Sequence, residues 1–415
     1  MNAESPKAAI DAFVAGHFDA EVAFLQDLVQ QPSDNPPGDC AAHAEVAAGL
    51  LEGLGFDVER LPVPTEYARQ HGMVSATNLI VRESFGPGPV VALNAHGDVV
   101  PPGDGWTHDP YGAEVVDGWM FGRGAAVSKS DFASYAFALL ALKASGAEIA
   151  GTVELHFTYD EETGGMTGPG WLLGEGHTRP DWVISAALSY NVVVSHNGCL
   201  HLKIVVTGKS AHAARPDTGY DALEASVDVL QALYRHRTEL SRRESGTPGI
   251  GAPTLVVGLI EGGINTNVVP ARVSMRVDRR FVPEDDPNAV EAETRRVIEE
   301  AVSGREGISV EAKRILLARP FVQVEGAEKL AEVLCRNASE AMGTDVSPIG
   351  VPLYTDARLY SEAGIPTAMY GAGPRTVLEA NGHRADERLK LEDLRNATRA
   401  VAYSLLELLG TSPAD

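Results

Sequence analysis

The spacing of apolar residues predicts alternating helices and strands. Apolar residues recur every three to four positions from Ala8 to Val29, which predicts a helix, and the segment PSDNPPGDC then interrupts it. CAAHAEVAAGLLEGLGF predicts a second helix. The runs NLIVRE, VVALNAHGD, TVELHFTYD and WVISAAL predict strands, with a helix after Ser130. Strands that alternate with helices favour parallel pairing in an α/β domain.

The pattern changes after Gly198. The strand-like run LHLKIVVTG is followed by a helical segment, two strands, a second helix and a last strand, ISVEAKRIL. This β-α-β-β-α-β order is that of a ferredoxin-like domain. The α/β pattern then resumes and reaches a C-terminal helix. We therefore predict a catalytic domain in two parts, residues 1–198 and 318–415, with an inserted ferredoxin-like domain at residues 199–317.

Composition and charge narrow the class of protein. Hydrophobic residues make up 44% of the chain and charged residues 22%, which is typical of a soluble globular protein. The formal net charge of -23 argues against nucleic acid or an anionic membrane as a partner. The N-terminus MNAESPKAAIDAF has no secretory-signal pattern, so we expect a cytoplasmic protein. Because Cys40, Cys199 and Cys335 lie far apart, neither a disulfide framework nor a cysteine-based zinc site is expected.

Polar side chains follow two of the predicted strands. His96 and Asp98 end one strand, and Asp160, Glu161 and Glu162 end another. Ligands of α/β sheets gather at the carboxyl ends of strands, and three adjacent carboxylates repel one another unless a cation or a shared proton offsets their charge. One acid could bind a metal while its neighbour acts as general base. Taken alone, His96-x-Asp98 is more typical of a structural histidine, whereas a solvated turn is a less suitable explanation for three acids at the end of a buried strand than for one or two.

Two further histidines lie in loops. His383 stands in ANGHRADERLKLEDL before the last predicted helix, and His212 stands in GKSAHAARPDTGYDA within the predicted insert. Each alone is more typical of a surface histidine than of a ligand. The segments YTDAR and YGAGPRTV are polar or glycine-rich loops suited to lining a cleft.

In this order, the segments resemble one family of metal-dependent hydrolases. That family includes acetylornithine deacetylase, succinyl-diaminopimelate desuccinylase, aminoacylase and bacterial glutamate carboxypeptidase. The resemblance covers nearly the whole chain and rests on the segments QQPSDNPPGD, HGDVVPPGDGWTHDPYG, DGWMFGRGAA, DEETGG, GKSAHAARPDTG, EGGINTNVVPARVSMRVDRR, YTDAR and GHRADERLKLEDL. It implies a mixed-sheet α/β catalytic domain, a ferredoxin-like insert that serves as lid and dimerisation domain, and hydrolysis of a C–N bond.

The resemblance also implies roles for individual residues. The family typically binds two zinc ions through five side chains. By position, His96 is a ligand oriented by Asp98, Glu162 and His383 are ligands of the other metal, and Glu161 is the general base.

Within the insert, the resemblance implies that His212 stabilises an oxyanion in the active site of a neighbouring subunit. Asn267 and Arg280 match positions that hold the carboxylate end of the substrate. We therefore expect a small carboxylate-bearing substrate and a homodimer formed through the insert.

Two metal ligands of the family are missing here. Val127 stands where a bridging aspartate is expected, and Ala186 stands near the position of another carboxylate. Neither side chain offers a lone pair, so a second metal ion is not expected. We expect one divalent ion, zinc or manganese, held by His96, Glu162 and His383.

Two alternatives remain for the metal site. Asp131 lies one helical turn beyond Val127 and could replace the lost ligand. The pattern Ser128-x-x-Asp131 also predicts a helix capping box, which we favour. In the other alternative the chain binds no metal and acts as a non-catalytic binding protein.

The leading functional hypothesis is an N-acyl amino acid amidase, deacetylase or dipeptidase. Glu161 would take a proton from water and pass it to the leaving nitrogen, while the metal and His212 stabilise the oxyanion. The alternative hypothesis is an aminohydrolase that releases ammonia from an aromatic acid such as 5-nitroanthranilate, because Val127 and Ala186 would offer a flat substrate an apolar wall.

Overall fold

The computed structural model describes residues 5–410, which fall into two compact units. The first unit runs to Val194 and also contains Gln323–Ile349 and the residues from Thr355 onward. The second unit contains Ser195–Val322 and Gly350–Tyr354. The insert predicted from the sequence at residues 199–317 lies within Ser195–Val322, the longer segment of the second unit.

Helices and strands alternate through the described residues. The helices are α1 (Pro6–Gln30), α2 (Ala41–Gly53), α3 (Thr65–Gln70), α4 (Lys129–Ala144), α5 (Pro169–Gly174), α6 (Ala222–Leu240), α7 (Pro287–Ala301), α8 (Ala327–Met342), α9 (Ala357–Glu362) and α10 (Leu391–Leu409). The strands are β1 (Val58–Pro62), β2 (Thr77–Ser84), β3 (Val90–His96), β4 (Glu114–Val116), β5 (Trp119–Phe121), β6 (Thr152–Thr158), β7 (Trp182–Ser185), β8 (Asn191–His196), β9 (Gly198–Thr207), β10 (Thr254–Gly262), β11 (Arg272–Phe281), β12 (Ser309–Ala318), β13 (Phe321–Val322), β14 (Ser347–Val351), β15 (Thr367–Met369) and β16 (Arg388–Lys390). In residues 5–410, no helix combines the length and the apolar character needed to cross a bilayer.

A mixed sheet forms the centre of the first unit. Its strands lie in the order β1-β2-β6-β3-β7-β15-β8. The central strands β6, β3, β7 and β15 are parallel, whereas β1, β2 and β8 pair antiparallel with their neighbours. The prediction of parallel pairing is therefore right for the centre of the sheet and wrong for its edges. The mixed-sheet α/β class is confirmed.

Helix α4 is buried around nearly its whole circumference, and its apolar residues are spread over all of its faces. Its first residue, Lys129, is also fully buried. The Lys129 ammonium donates to the carbonyls of Leu28 at 3.1 Å and Gln31 at 2.9 Å. These carbonyls lie at the end of α1, where intrahelical partners run out. Burial lowers the pKa of Lys129 to about 7.

The second unit contains a four-stranded antiparallel sheet in the order β10-β11-β9-β12. Leu200, Leu202 and Ile204 of β9 pack into one core with residues of α6 and α7. Because side chains alternate along a strand, Cys199 and His201 point to the opposite face. The order β9-α6-β10-β11-α7-β12 is a β-α-β-β-α-β unit.

A buried ion pair in the first unit ties the turn after β5 to the loop before β16. Arg123 donates to Glu387, and the two side chains are 1% and 0% exposed. Glu387 Oε1 also accepts from the backbone amides of Gly124 at 3.1 Å, Ala126 at 3.2 Å and Val127 at 3.2 Å. One carboxylate therefore holds the whole turn.

Removing the carboxylate of this pair is expected to cost more stability than removing the guanidinium. Glu387→Leu leaves Arg123 as an unpaired buried charge and also frees the three amides, so we expect a loss of about 3–5 kcal/mol. Arg123→Met leaves the carboxylate with its amide donors and should cost less. Urea denaturation measures both losses. Arg336→Met, which breaks an exposed pair with Glu407, is the control and should change stability by about 1 kcal/mol or less. Equal losses for the two buried variants would contradict this account.

Glu21 of α1 is expected to make stability depend on pH. Its carboxyl group is buried against α10, where it accepts from the hydroxyl of Thr398, and burial raises its pKa to about 8. An unfolded glutamate has a pKa of about 4.3, so between these values the folded state holds a proton that the unfolded state has lost. The stabilisation is complete below the lower pKa and disappears as pH rises through the higher one, by up to about 1.4 kcal/mol per pH unit.

Glu21→Gln cannot ionise, so its stability should fall less than that of the wild type between about pH 5 and pH 8. Chemical denaturation across this range tests the difference. Asp19→Asn, at an exposed position of the same helix, should follow the wild-type curve. Parallel curves for Glu21→Gln and the wild type would show that Glu21 is ionised in the folded protein.

Candidate active site

Two parallel strands place His96 beside an acidic turn. β3 ends at His96, which is in register with Thr158 at the end of β6. The chain then reverses at Asp160, whose φ is 132°, and enters a short 3-10 helix at Glu161–Thr163. The carboxylate of Asp160 accepts from the backbone amides of Thr167 and Gly168 and so closes the loop. The polar residues predicted at the ends of these two strands therefore lie at one edge of the sheet.

The carboxylate of Asp98 holds the acidic turn in place. Asp98 is fully buried, and it accepts from the backbone amides of Glu161 and Glu162 at 3.2 Å each. The side-chain amide of Asn35 donates to it at 2.9 Å. Burial would raise the pKa of Asp98, but the interaction with His96 and the hydrogen bonds it accepts outweigh burial and lower it.

His96 is oriented mainly by the main chain of Asp98. Its Nδ1 lies 2.9 Å from the Asp98 carbonyl oxygen and 3.4 Å from the Asp98 carboxylate. Its Nε2 lies 3.9 Å from Glu161 Oε2. Burial would lower the pKa of His96, but Asp98 and Glu161 raise it well above the ordinary value. The ring therefore directs Nδ1 at Asp98 and presents Nε2 to the acidic turn.

His383 makes the corresponding contact with Glu162. His383 Nε2 lies 3.2 Å from Glu162 Oε1. The histidine has a φ of 62° in the loop before β16 and its side chain is 50% exposed, whereas the Glu162 side chain is 10% exposed. The hydrogen bond to Glu162 raises the pKa of His383.

The structure thus arranges the predicted residues as two pairs, His96 with Glu161 and His383 with Glu162. Among the described residues, only Cys199, His201 and Asp278 bring three Cys, His, Asp or Glu ligand atoms within 4.8 Å of one another. His96, Glu162 and His383 therefore do not form so tight a group. The two pairs are joined through the adjacent residues Glu161 and Glu162.

Negative charge accumulates around these pairs. Asp356, in the segment YTDAR, is buried, and its Oδ2 has no hydrogen-bond partner among residues 5–410. Burial raises its pKa to about 7, with the negative charges of Asp98 and Glu162 adding to the effect and His96 opposing it. Burial likewise raises the pKa of Glu161 well above the ordinary value, although His96 opposes it.

Sequence reasoning assigned no role to Asn35, Asp356 or Glu387. All three stand in or next to segments that carried the resemblance, but nothing local marks them as buried. Only Asp356 carries a local signal of a structural role, because it is an acid directly before a helix.

The two positions without an expected ligand are held by backbone contacts. The Val127 amide donates to Glu387 at 3.2 Å. Ala186 follows the end of β7, and its amide donates to the Asn94 carbonyl at 2.8 Å. Neither side chain has a donor atom for a metal.

The capping box predicted for Asp131 is wrong. The Ser128 hydroxyl makes no capping bond to the first turn of α4. The buried Asp131 carboxylate instead accepts from the backbone amide of Ala372 at 2.6 Å, and its other oxygen lies 3.5 Å from the Ser128 hydroxyl. Asp131 therefore ties α4 to the chain after β15. Burial raises its pKa to about 7.

The remaining predicted residues lie in the second unit. His212 is exposed, and its Nδ1 accepts from the Ala214 amide at 3.0 Å. Asn267 lies beside it, since its carbonyl accepts from the Ala213 amide at 3.0 Å. Arg280 is near the end of β11 and forms a two-point ion pair with Asp278.

Comparison with known proteins places the chain in a family. Residues 92–407 match the family described as peptidase family M20/M25/M40. A succinyl-diaminopimelate desuccinylase of Rhodospirillum centenum is 29% identical over 398 residues, covering 93% of this chain and 96% of the relative.

Solved structures share the fold. The dipeptidase Dug1p of Saccharomyces cerevisiae superimposes with a TM-score of 0.79 at 15% identity, covering 96% of this chain and 98% of that one. The YXEP protein of Bacillus subtilis, described as a dinuclear metal-binding peptidase of the M20 family, gives a TM-score of 0.67 at 20% identity, covering 95% and 99%.

These matches confirm the resemblance drawn from the sequence motifs. The matched residues include His96, Glu161, Glu162 and His383, which the structure brings together at one edge of the central sheet. The chain belongs to peptidase family M20/M25/M40 and is a metal-dependent hydrolase of C–N bonds.

Proposed function

We propose that the protein hydrolyses the C–N bond of an N-acyl amino acid or a dipeptide by means of one divalent metal ion. The observation that carries the proposal is the pairing of His96 with Glu161 and of His383 with Glu162 at adjoining strand ends. Imidazole nitrogens and carboxylate oxygens are common ligands of catalytic zinc and manganese.

The donor set fits one ion better than two. His96, Glu162 and His383 would hold the ion, while Val127 and Ala186 leave a second ion without its carboxylates. Two neutral imidazoles and one carboxylate do not neutralise a divalent charge, so the ion would be zinc or manganese held less tightly than in a carboxylate-rich site. When bound, the ion would supply a Lewis acid that makes a nearby water acidic.

Glu161 is suited to move the proton. Its carboxylate lies next to His96 and to the ligand Glu162, and its amide is fixed by Asp98. Burial raises the pKa of Glu161 well above the ordinary value, so its carboxylate holds a proton more readily than one in water. It would accept a proton from water and release it to the leaving nitrogen.

The second unit offers groups for the remaining part of the substrate. His212 accepts a hydrogen bond at Nδ1, so its neutral ring carries the proton on Nε2 and can donate to an oxyanion. Arg280 contacts Asp278 through Nε and Nη2, which leaves Nη1 for a substrate carboxylate. Asn267 lies beside His212 and could add an amide contact.

The apolar side chains of Val127 and Ala186 support a second candidate, an aminohydrolase that releases ammonia from an aminoaromatic acid. A flat apolar substrate could occupy the space that two carboxylate ligands would otherwise take. This candidate uses the same metal and the same Glu161, and it differs only in the bond that is cleaved.

Replacing Glu161 should separate chemistry from metal binding. In Glu161→Gln we expect turnover to fall by roughly 10²–10⁴-fold, because the proton acceptor is lost, with the metal content unchanged from that of the wild type. His383→Asn should instead lower the metal content. The assays are elemental analysis and turnover after chelation and readdition of zinc or manganese.

The substrate panel comprises N-acetyl and N-succinyl amino acids, dipeptides and 5-nitroanthranilate. Release of an amino acid supports the proposal, and release of ammonia from the aromatic acid alone replaces it with the second candidate. Glu175→Gln, at an exposed position after α5, is the matched control and should behave as wild type. A protein that holds no metal and turns over none of these substrates would be a binding protein.

We further propose that two chains pair through the second unit, and that each chain supplies its His212 to the active site of the other. Edge strand β10 exposes Val256 at 53%, Leu259 at 59% and Ile260 at 51%, which is unusual for an edge that remains in water. Pairing there would bury these side chains.

Complementation tests the exchange. Glu161→Gln and His212→Ala should each be inactive, yet an equal mixture exchanged through mild denaturant should regain about a quarter of wild-type turnover. Half of the randomly paired dimers are mixed, and each mixed dimer holds one complete site. Sedimentation velocity should show a dimer. A mixture as inactive as its components would mean that His212 acts within its own chain or not at all.

A further inference from the structure

The Cys199–His201–Asp278 cluster lies in the second unit, and none of its three residues is among those assigned to the active site. Cys199 and His201 are two positions apart on β9 and therefore share a face of the sheet. Asp278 of β11 is directly opposite His201 in the antiparallel register. Strand pairing itself brings the three side chains together, on the face opposite the core that β9 forms with α6 and α7.

The ligand atoms have the spacing of a metal site. Cys199 Sγ lies 3.2 Å from His201 Nε2, and that nitrogen lies 3.2 Å from Asp278 Oδ2. Cys199 Sγ and Asp278 Oδ1 are 3.9 Å apart. Tetrahedral zinc, with bonds of about 2.0–2.3 Å, separates its sulfur, nitrogen and oxygen ligands by roughly 3.3–3.6 Å. One ring nitrogen thus faces both a sulfur and a carboxylate oxygen, as it would around a common ion.

Arg280 supplies the outer contact that ligating carboxylates typically have. Its Nε lies 2.8 Å from Asp278 Oδ1 and its Nη2 lies 3.0 Å from Asp278 Oδ2. A carboxylate has about four lone-pair directions, so two remain for a metal. A thiolate and a carboxylate together neutralise a divalent ion, and Arg280 would not face added positive charge.

Solvent reaches one side of the cluster. Cys199 is buried, whereas the side chains of His201 and Asp278 are 31% and 34% exposed. An ion can therefore enter from water and keep a water molecule as a fourth ligand.

We propose that this cluster binds a thiophilic divalent cation of the zinc type, distinct from the catalytic ion. Cys199 binds as a thiolate and releases its proton to solvent, His201 binds through Nε2, and Asp278 binds through its carboxylate. The sequence-based expectation that no cysteine contributes to a zinc site rested on spacing along the chain. Here the third ligand comes from a neighbouring strand.

Cobalt titration of the chelator-stripped full-length protein tests the proposal. A thiolate ligand gives Co²⁺ a charge-transfer absorption in the near ultraviolet, and the proposed catalytic ligands contain no sulfur. We expect the wild type to show this band and Cys199→Ser to lose it. In His201→Asn, the Co²⁺ affinity measured from the growth of this band should be at least roughly tenfold weaker. Cys335→Ser, which changes a cysteine of α8 outside the cluster, should keep the wild-type band.

Two outcomes would overturn the proposal: no thiolate band in the wild type, or a band that persists in Cys199→Ser. Circular dichroism shows whether each variant folds. If Cys199→Ser does not fold, His201→Asn decides, because its partly exposed site tolerates substitution, and an unchanged cobalt affinity in that variant excludes the cluster. The band does not depend on turnover, so failure of the proposed hydrolysis would leave this result intact.

Discussion

The buried carboxylate of Asp98 is the constraint on which the candidate active site depends. It accepts from the amides of both Glu161 and Glu162, and its own carbonyl fixes His96. Because consecutive amides are held by one carboxylate, the two glutamate side chains leave the turn in different directions, one toward His96 and the other toward His383. Parallel pairing of β3 and β6 brings His96 and the two glutamates to the same edge of the sheet. The hydrogen bonds of Asp98 then fix the turn that carries the glutamates.

The number of buried carboxyl groups around His96 and His383 bears on how many metal ions the candidate site would hold. Burial raises the pKa of Glu161 and Asp356, so the protein environment alone disfavours ionisation of both. A cation would relieve this repulsion, as protonation would. Val127 and Ala186 carry no negative charge, so the one-ion site that we propose would need less positive charge for balance than a two-ion site with two more carboxylates.

Local residue patterns and the order of the strands were enough to predict the fold class and the position of part of the site. Hydrophobic periodicity gave the α/β class, and the polar residues after two strands gave His96 and Glu161 a common location. Tertiary contacts decided the rest. The Ser128-x-x-Asp131 pattern looked like a cap, but the Ala372 amide, distant in sequence, takes the Asp131 carboxylate. Burial of Glu387 depends on Arg123, which no spacing rule connects to it.

The second unit shows how one carboxylate can serve two proposed purposes. Asp278 orients Arg280, the proposed partner of the substrate carboxylate, and faces His201 in the proposed metal cluster. An ion there would restrict the Asp278 side chain and so hold Arg280 in a single orientation. By linkage, a substrate that required this orientation would in turn favour binding of the ion, and the two affinities would change by the same factor. The two proposals are therefore separable by experiment but coupled in physical terms through the carboxylate that they share.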